Sequence, residues 1–135
     1  MAKPNRHGLL GGHTPAAFLQ RYWQKDALLV RAAVPQLAPV CTRAELLGLA
    51  GRDDVDARVI VNRRGTWSLI EGPLRKADFR SLPATGWTLL VHGVNLYSAA
   101  ADALLRRFAF LPYARLDDLM VSLSLIHISE PTRPY

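Results

Sequence analysis

The sequence predicts an α+β chain, an amino-terminal helix and strand region that leads into further strands. Three observations carry this: helix-opening signals at Thr14-Pro15 and at Thr42-x-x-Glu45, two β-branched runs joined by Asn62-Arg63-Arg64-Gly65, and the run Trp87-Thr88-Leu89-Leu90-Val91.

Residues 1–13 contain Pro4, Gly8, Gly11 and Gly12, too many breakers for a regular element, and form an irregular arm whose Leu9 and Leu10 can dock on the domain. Thr14 is placed to cap a helix, with Pro15 at the first helical position, where a missing N–H costs nothing. Phe18, Leu19, Tyr22 and Trp23 follow at helical spacing, so a helix over about 15–24 presents an aromatic core face. The apolar run Ala27-Leu28-Leu29-Val30 reads as a buried strand, and Pro35 and Pro39 mark the loop after it.

At Thr42 a capping box completed by Glu45 opens a short helix carrying Leu46, Leu47 and Leu49, and Gly51 can stop it. Strands over 57–61 and 66–70 make a hairpin whose four-residue link offers Gly65 for positive φ. Gly72-Pro73 ends the hairpin, and the stretch through Lys76 and Asp78 to Pro83 reads as irregular and basic. Trp87–Val91 is a strand followed by Gly93. Ser98 then caps a helix to about Arg107, with Leu104, Leu105 and Phe108 inward and the paired arginines near the negative end of its dipole. After Pro112, Asp117-Asp118 precede a strand over 119–124 with one wet face.

Composition bounds the function classes. At 135 residues, 50% apolar and 21% charged, the chain fits one globular domain at most and is not a disordered segment. A net charge of +6 and pI near 10.1 allow a nucleic-acid-associated partner, but the arginines are scattered singly or in pairs, which favours the plain reading of a solvated basic surface. Cys41 alone excludes an internal disulfide and any multi-cysteine zinc site, and fits a reducing cytoplasm. The sequence has no apolar stretch near the roughly 18–20 residues that span a bilayer and no apolar signal core, so a soluble, unexported chain is expected.

Several segments, in order, resemble the bacterial ribosomal oxygenases, cupin hydroxylases of the JmjC type that modify an arginine of a large-subunit ribosomal protein. They are Phe18-Leu19-x-x-Tyr22-Trp23-Gln24-Lys25 with Leu28-Leu29-Val30-Arg31, then Arg52-Asp53-Asp54-Val55-Asp56-Ala57-Arg58, Trp67 and Gly72-Pro73. Trp87–Val91 and Arg115-Leu116-Asp117-Asp118-Leu119-Met120-Val121-Ser122 complete the set. The last two, in that order, are the specific part. The resemblance implies that 14–124 is the amino-terminal part of a JmjC/cupin oxygenase domain, leading into an incomplete double-stranded β-helix. It implies Fe(II) and 2-oxoglutarate as cofactors of the intact protein, a ribosomal protein as substrate and partner, cytoplasmic location, and compatibility with a homodimer.

In that family the Asp-Asp-Leu-Met strand is followed by a glycine-rich loop that delivers a His-x-Asp pair. Non-haem Fe(II) of this kind is held by two histidines and one carboxylate, with positions left open for co-substrate and dioxygen. Here the residues two places after His7, His13, His92 and His127 are Leu9, Pro15, Val94 and Ser129, so none completes the pair. From Leu125 the sequence departs from the family, and residues 125–135 resemble the recurrent end of translated assembly fragments. The tail is expected to be non-native, the chain a fragment lacking the metal triad, and 1–135 itself inactive and cofactor-free.

The resemblance places Ser122 where it would hydrogen-bond 2-oxoglutarate; the plain alternative is an outward polar residue. Met120, on the same face, is a candidate to line the substrate pocket, against the commoner role of filling a core. Asp117-Asp118 could meet a basic substrate or cap the turn before the strand. His92 reads as a structural histidine, and Trp23, Trp67 and Trp87 as core residues rather than base-stacking platforms.

A competing class is a helix-turn-helix module built on Thr42–Gly51, but its recognition helix would open with Asp53, Asp54 and Asp56, which repel a phosphate backbone. Direct DNA binding is therefore not expected. A small basic protein that binds ribosomes or nucleic acid through its surface is the remaining alternative.

Overall fold

The computed structural model describes residues 8–35 and 37–125, so His7, His127 and most of the tail expectation lie outside the described residues. The chain divides into two compact units, Met1–Pro39 with Phe108–Leu116, and Val40–Arg107 with Asp117–Tyr135.

In the first unit, helix α1 spans Pro15–Arg21; Thr14 Oγ1 accepts the Ala17 N–H at 3.1 Å and Pro15 opens the helix. It stops three residues short of the predicted end because Gln24 takes a φ of 57°, outside the helical region. Phe18 stacks with Tyr22 at 6.2 Å and meets the edge of Phe110 at 5.8 Å, so the aromatic face packs, although no residue of α1 is fully buried. The predicted strand at Ala27–Val30 is not formed. Leu28 and Val30 are half-buried, Leu29 is 80% exposed, and the segment has no partner in a ladder, without which an extended run is not a strand.

The second unit is a four-stranded antiparallel sheet in the order β2-β1-β3-β4, with β1 Ala57–Arg63, β2 Thr66–Glu71, β3 Trp87–Val91 and β4 Val121–Ser124. The β1–β2 ladder closes at Arg63↔Thr66, leaving a two-residue loop, Arg64 (φ 51°) and Gly65 (φ 87°). Positive φ at both positions matches the twist of the flanking strands. The link is thus two residues shorter than predicted.

Alternation along the strands builds the core. Ala57, Val59 and Val61 of β1 and Trp87, Leu89 and Val91 of β3 are buried on one face, joined by Leu74, Val94 and Ala101. Helix α2, Arg43–Ala50, adds Leu46 and Ala50. Its capping box forms as predicted, Glu45 N–H to Thr42 Oγ1 at 3.2 Å and Thr42 N–H to a Glu45 carboxylate oxygen at 2.6 Å. Trp87 keeps its indole N–H satisfied by Pro83 O at 3.1 Å.

Helix α4, Ala99–Arg106, is capped by Ser98, which accepts the Ala101 N–H at 3.2 Å; Ala101 is its buried residue, and Leu104 and Leu105 are half-buried. The stretch expected to be irregular holds a helix, α3 at Lys76–Arg80, opened when Asp78 accepts the Arg75 N–H at 2.7 Å. Residues 52–56 hold no helix, with turn and bend at 53–55, and run straight into β1, so the second helix of a helix-turn-helix is not formed there. Pairing at the far edge reaches Leu125, whose N–H donates to Trp87 O at 2.9 Å, one residue beyond the predicted strand. No described helix is long and apolar enough to cross a membrane.

Candidate functional site

The sheet has a second face, and the two site residues predicted from the sequence lie on it. Register sets its rows: Glu71, Arg58, Leu90 and Ser122 run across the four strands in one row, and Leu69, Ile60, Thr88 and Ser124 in the next. Asn62 and Trp67 pair at the hairpin end, and Met120 continues the alternation just before β4. None of these residues is fully buried. Thr88 Oγ1 and Ser124 Oγ are 2.8 Å apart, so two hydroxyls are joined within one row of Ser122.

Ser122 is exposed and Met120 is 47% exposed, which excludes a core-filling role for Met120 in this chain. Trp67, expected in the core, is instead 62% exposed, because its position in the alternation places it opposite Asn62 on the uncovered face. Trp87 is in the core as expected, and Trp23 is half-buried.

A clasp fixes the entry to β4. The Gly93 N–H donates to Asp118 Oδ2, the Leu119 N–H to Asn95 Oδ1 at 2.9 Å, and the Val94 N–H to Leu119 O at 3.0 Å. Asp118 therefore takes the capping role, and its Oδ2 also lies 3.5 Å from His92 Nδ1. His92 is held in turn by its own N–H to Asp56 O at 2.9 Å, a structural histidine that nonetheless has a carboxylate neighbour in space.

Among the described residues no three His, Cys, Asp or Glu side chains come together to hold a metal ion. The His92–Asp118 contact supplies two donor side chains, with Asp118 already committed to the Gly93 amide. These residues do not fit a two-histidine, one-carboxylate iron centre.

A cleft of about 440 Å³, not anticipated from the sequence, is lined by Cys41, Glu45, Leu49, Arg52, Tyr97 and Ser98. The Arg52 guanidinium lies 4.7 Å from the centre of the Tyr97 ring and forks onto Asp54 at 2.8 and 2.7 Å, while the Tyr97 hydroxyl donates to Asp54 O at 3.2 Å. The hydrogen bonds from Arg52 hold the Asp54 carboxyl below the usual carboxylate range. Burial, and then the nearby Glu45 charge, push the Cys41 thiol up, which disfavours the thiolate. The cleft is thus braced by the contacts among Arg52, Asp54 and Tyr97. No local signal pointed to it, since Arg52 and Tyr97 are joined only by the fold.

The chain matches no family model. It is 37% identical over 108 residues to the ribosomal protein uL16 3-hydroxylase of Escherichia coli, a match covering 80% of this chain and 28% of that protein. It is 34% identical over 110 residues to a protein of Haemophilus influenzae described as a probable ribosomal oxygenase, covering 81% of this chain and 27% of the relative. Its fold is similar to that of YcfD, a ribosomal oxygenase from Escherichia coli, in complex with cobalt and 2-oxoglutarate. The TM-score is 0.73 at 36% identity, over 80% of this chain and 29% of that one. The chain thus spans less than a third of the length of the relatives it matches. Over about 80% of its residues, then, this chain is similar to one segment of proteins described as ribosomal oxygenases.

Proposed function

We propose that the chain is part of a cytoplasmic Fe(II)/2-oxoglutarate-dependent oxygenase that hydroxylates an arginine of a large-subunit ribosomal protein. The observation that carries this reading is the joint placement of Ser122 and Met120 on an uncovered sheet face beside Leu90 and the Thr88–Ser124 hydroxyl pair, in a chain homologous to ribosomal oxygenases. Residues 14–124 are then the amino-terminal part of a JmjC/cupin jelly roll, and residues 125–135 are not native sequence. The open face is its interior wall, to be covered by strands of the intact protein.

On this reading Ser122 donates a hydrogen bond to 2-oxoglutarate, and Met120 gives the substrate side chain an apolar, adaptable contact. The Asp118–Gly93 and Asn95–Leu119 bonds fix where β4 starts and so where both side chains stand. The iron ligands come from outside this chain. When bound, the metal and co-substrate supply the oxidation of a C–H bond, and the residues described here bind and orient.

The test is to sequence the locus past the codon for Ser124 and express the extended protein. Iron-dependent succinate formation together with a one-oxygen mass gain on a ribosomal-protein peptide supports the reading, while 1–135 alone gives neither. Turnover by purified 1–135, or a native continuation without His-x-Asp, overturns it.

A further inference from the structure

His92 follows β3 directly and sits at the point where β1, β3 and the entry to β4 meet. Its backbone N–H donates to Asp56 O at 2.9 Å, so it stands opposite Asp56, one step beyond the Ala57↔Val91 pair. The Val91↔Val121 pair, carried on by one residue, sets Met120 on its other side. Ala57 and Val91 face the core, and alternation therefore turns Asp56, His92 and Met120 to the face that carries Leu90 and Ser122.

Two carboxylates neighbour this position, and they are differently engaged. Asp56 is held by Arg58, which forks onto it at 3.1 and 3.0 Å. Among the described residues Asp118 pairs with no lysine or arginine; its Oδ2 accepts the Gly93 N–H and lies 3.5 Å from His92 Nδ1. A ring and an amide from consecutive residues thus reach one carboxylate oxygen. A single hydrogen bond leaves a carboxylate free to turn about its side-chain torsions, and a second contact from a fixed ring restricts that freedom. Leu119 comes next and bonds to Asn95 and Val94, so the place of Asp118 bears on where β4 begins.

We propose that His92 is a positioning residue: through Nδ1 its ring steadies the Asp118 carboxylate, and through that carboxylate it holds the β4 entry where Met120 and Ser122 are set. The use of that placement in turnover rests on the function proposed above; the holding itself does not. The two side chains are 34% and 28% exposed, so the contact is modest.

Amide hydrogen exchange of the full chain, followed by NMR, tests this. His92→Leu keeps the bulk and removes the polar ring; the Gly93 and Leu119 N–H groups then exchange up to about fivefold faster, while the amides of the β1–β2 ladder keep their rates. His92→Asn places a side-chain N–H where Nδ1 stands and restores slow exchange, and it keeps the test decisive if the leucine variant fails to fold. In an Asp118→Ala background His92→Leu adds nothing, because a residue that acts through Asp118 has no effect once that carboxylate is gone. In the extended protein, the KM for a ribosomal-protein peptide rises in His92→Leu and not in His92→Asn. Unchanged exchange in His92→Leu, an asparagine variant as fast as the leucine one, or an effect that persists beside Asp118→Ala overturns the proposal, and a KM that does not move overturns the link to the site. Extended wild-type protein without turnover overturns the oxygenase reading instead, and the exchange comparison still decides the role of His92.

Discussion

The two faces of this sheet are written by the same strands and have opposite fates. On one, Ala57, Val59, Val61, Trp87, Leu89 and Val91 are sealed under α2, Leu74, Val94 and Ala101. On the other, Arg58, Ile60, Trp67, Leu69, Leu90, Met120 and Ser122 are half-buried or exposed. Several of the second set are as apolar as the first, so hydrophobicity does not separate them. Coverage does. The difference teaches that, among the described residues, burial follows which face the helix and loops pack on rather than how apolar the strand residues are.

The comparison is broken most directly at adjacent residues. Leu89→Ala empties a fully buried site and is expected to cost about 3 kcal/mol, enough to unfold a domain of ordinary marginal stability. Leu90→Ala, one residue away on the half-buried side, is expected to cost about 1 kcal/mol. Urea unfolding followed by far-ultraviolet circular dichroism measures both. Equal losses would mean that the two faces are equally covered, and the contrast would fail.

Gly86→Ala sharpens the same contrast from the backbone. Gly86 has a φ of 88°, and a Cβ there would stand 2.8 Å from Asn62 O, the carbonyl beside the β1–β3 junction. The strain costs about 1–3 kcal/mol and is felt by the core face, because Gly86 joins β1 to β4 through the Asn62 N–H and Leu125 O bonds. An unchanged unfolding midpoint would show that the junction yields without cost.

Much of this was legible in the sequence because it is local. The caps at Thr14, Thr42 and Ser98, the hairpin and the β3 run each carry their signal within a few residues. Period two likewise put Met120 and Ser122 on one face. It could not say which face is covered, which is why Trp67 was misplaced. Nor could it name Leu90, Thr88 and Ile60 as their neighbours, since rows across strands depend on register. The run Ala27–Val30 misled because apolar content stands in for pairing only when a partner strand exists. Helix α3 was missed because its first turn is capped through the Asp78 carboxylate, with Arg75 where a hydroxyl is looked for. The Asp118–Gly93 clasp spans 25 residues and leaves no local trace.

The smallest effects belong to the lid of the covered face. Thr42→Ala removes the acceptor for the Glu45 N–H and is expected to cost about 1 kcal/mol, read in the same urea unfolding because α2 closes over the core. Glu45 supplies the reciprocal bond, and its acceptance of the Thr42 backbone N–H lowers its carboxyl below the usual glutamate value. A carboxyl lowered on folding binds its proton less readily when folded, so its contribution is complete above the unfolded value and fades as pH falls through the folded one. The gap in stability between wild type and Glu45→Ala should therefore be small at neutral pH and shrink on the acid side of the ordinary glutamate range. Paired urea titrations at descending pH measure it. A gap that stays constant would mean that the charge contributes nothing and that the box works through geometry alone.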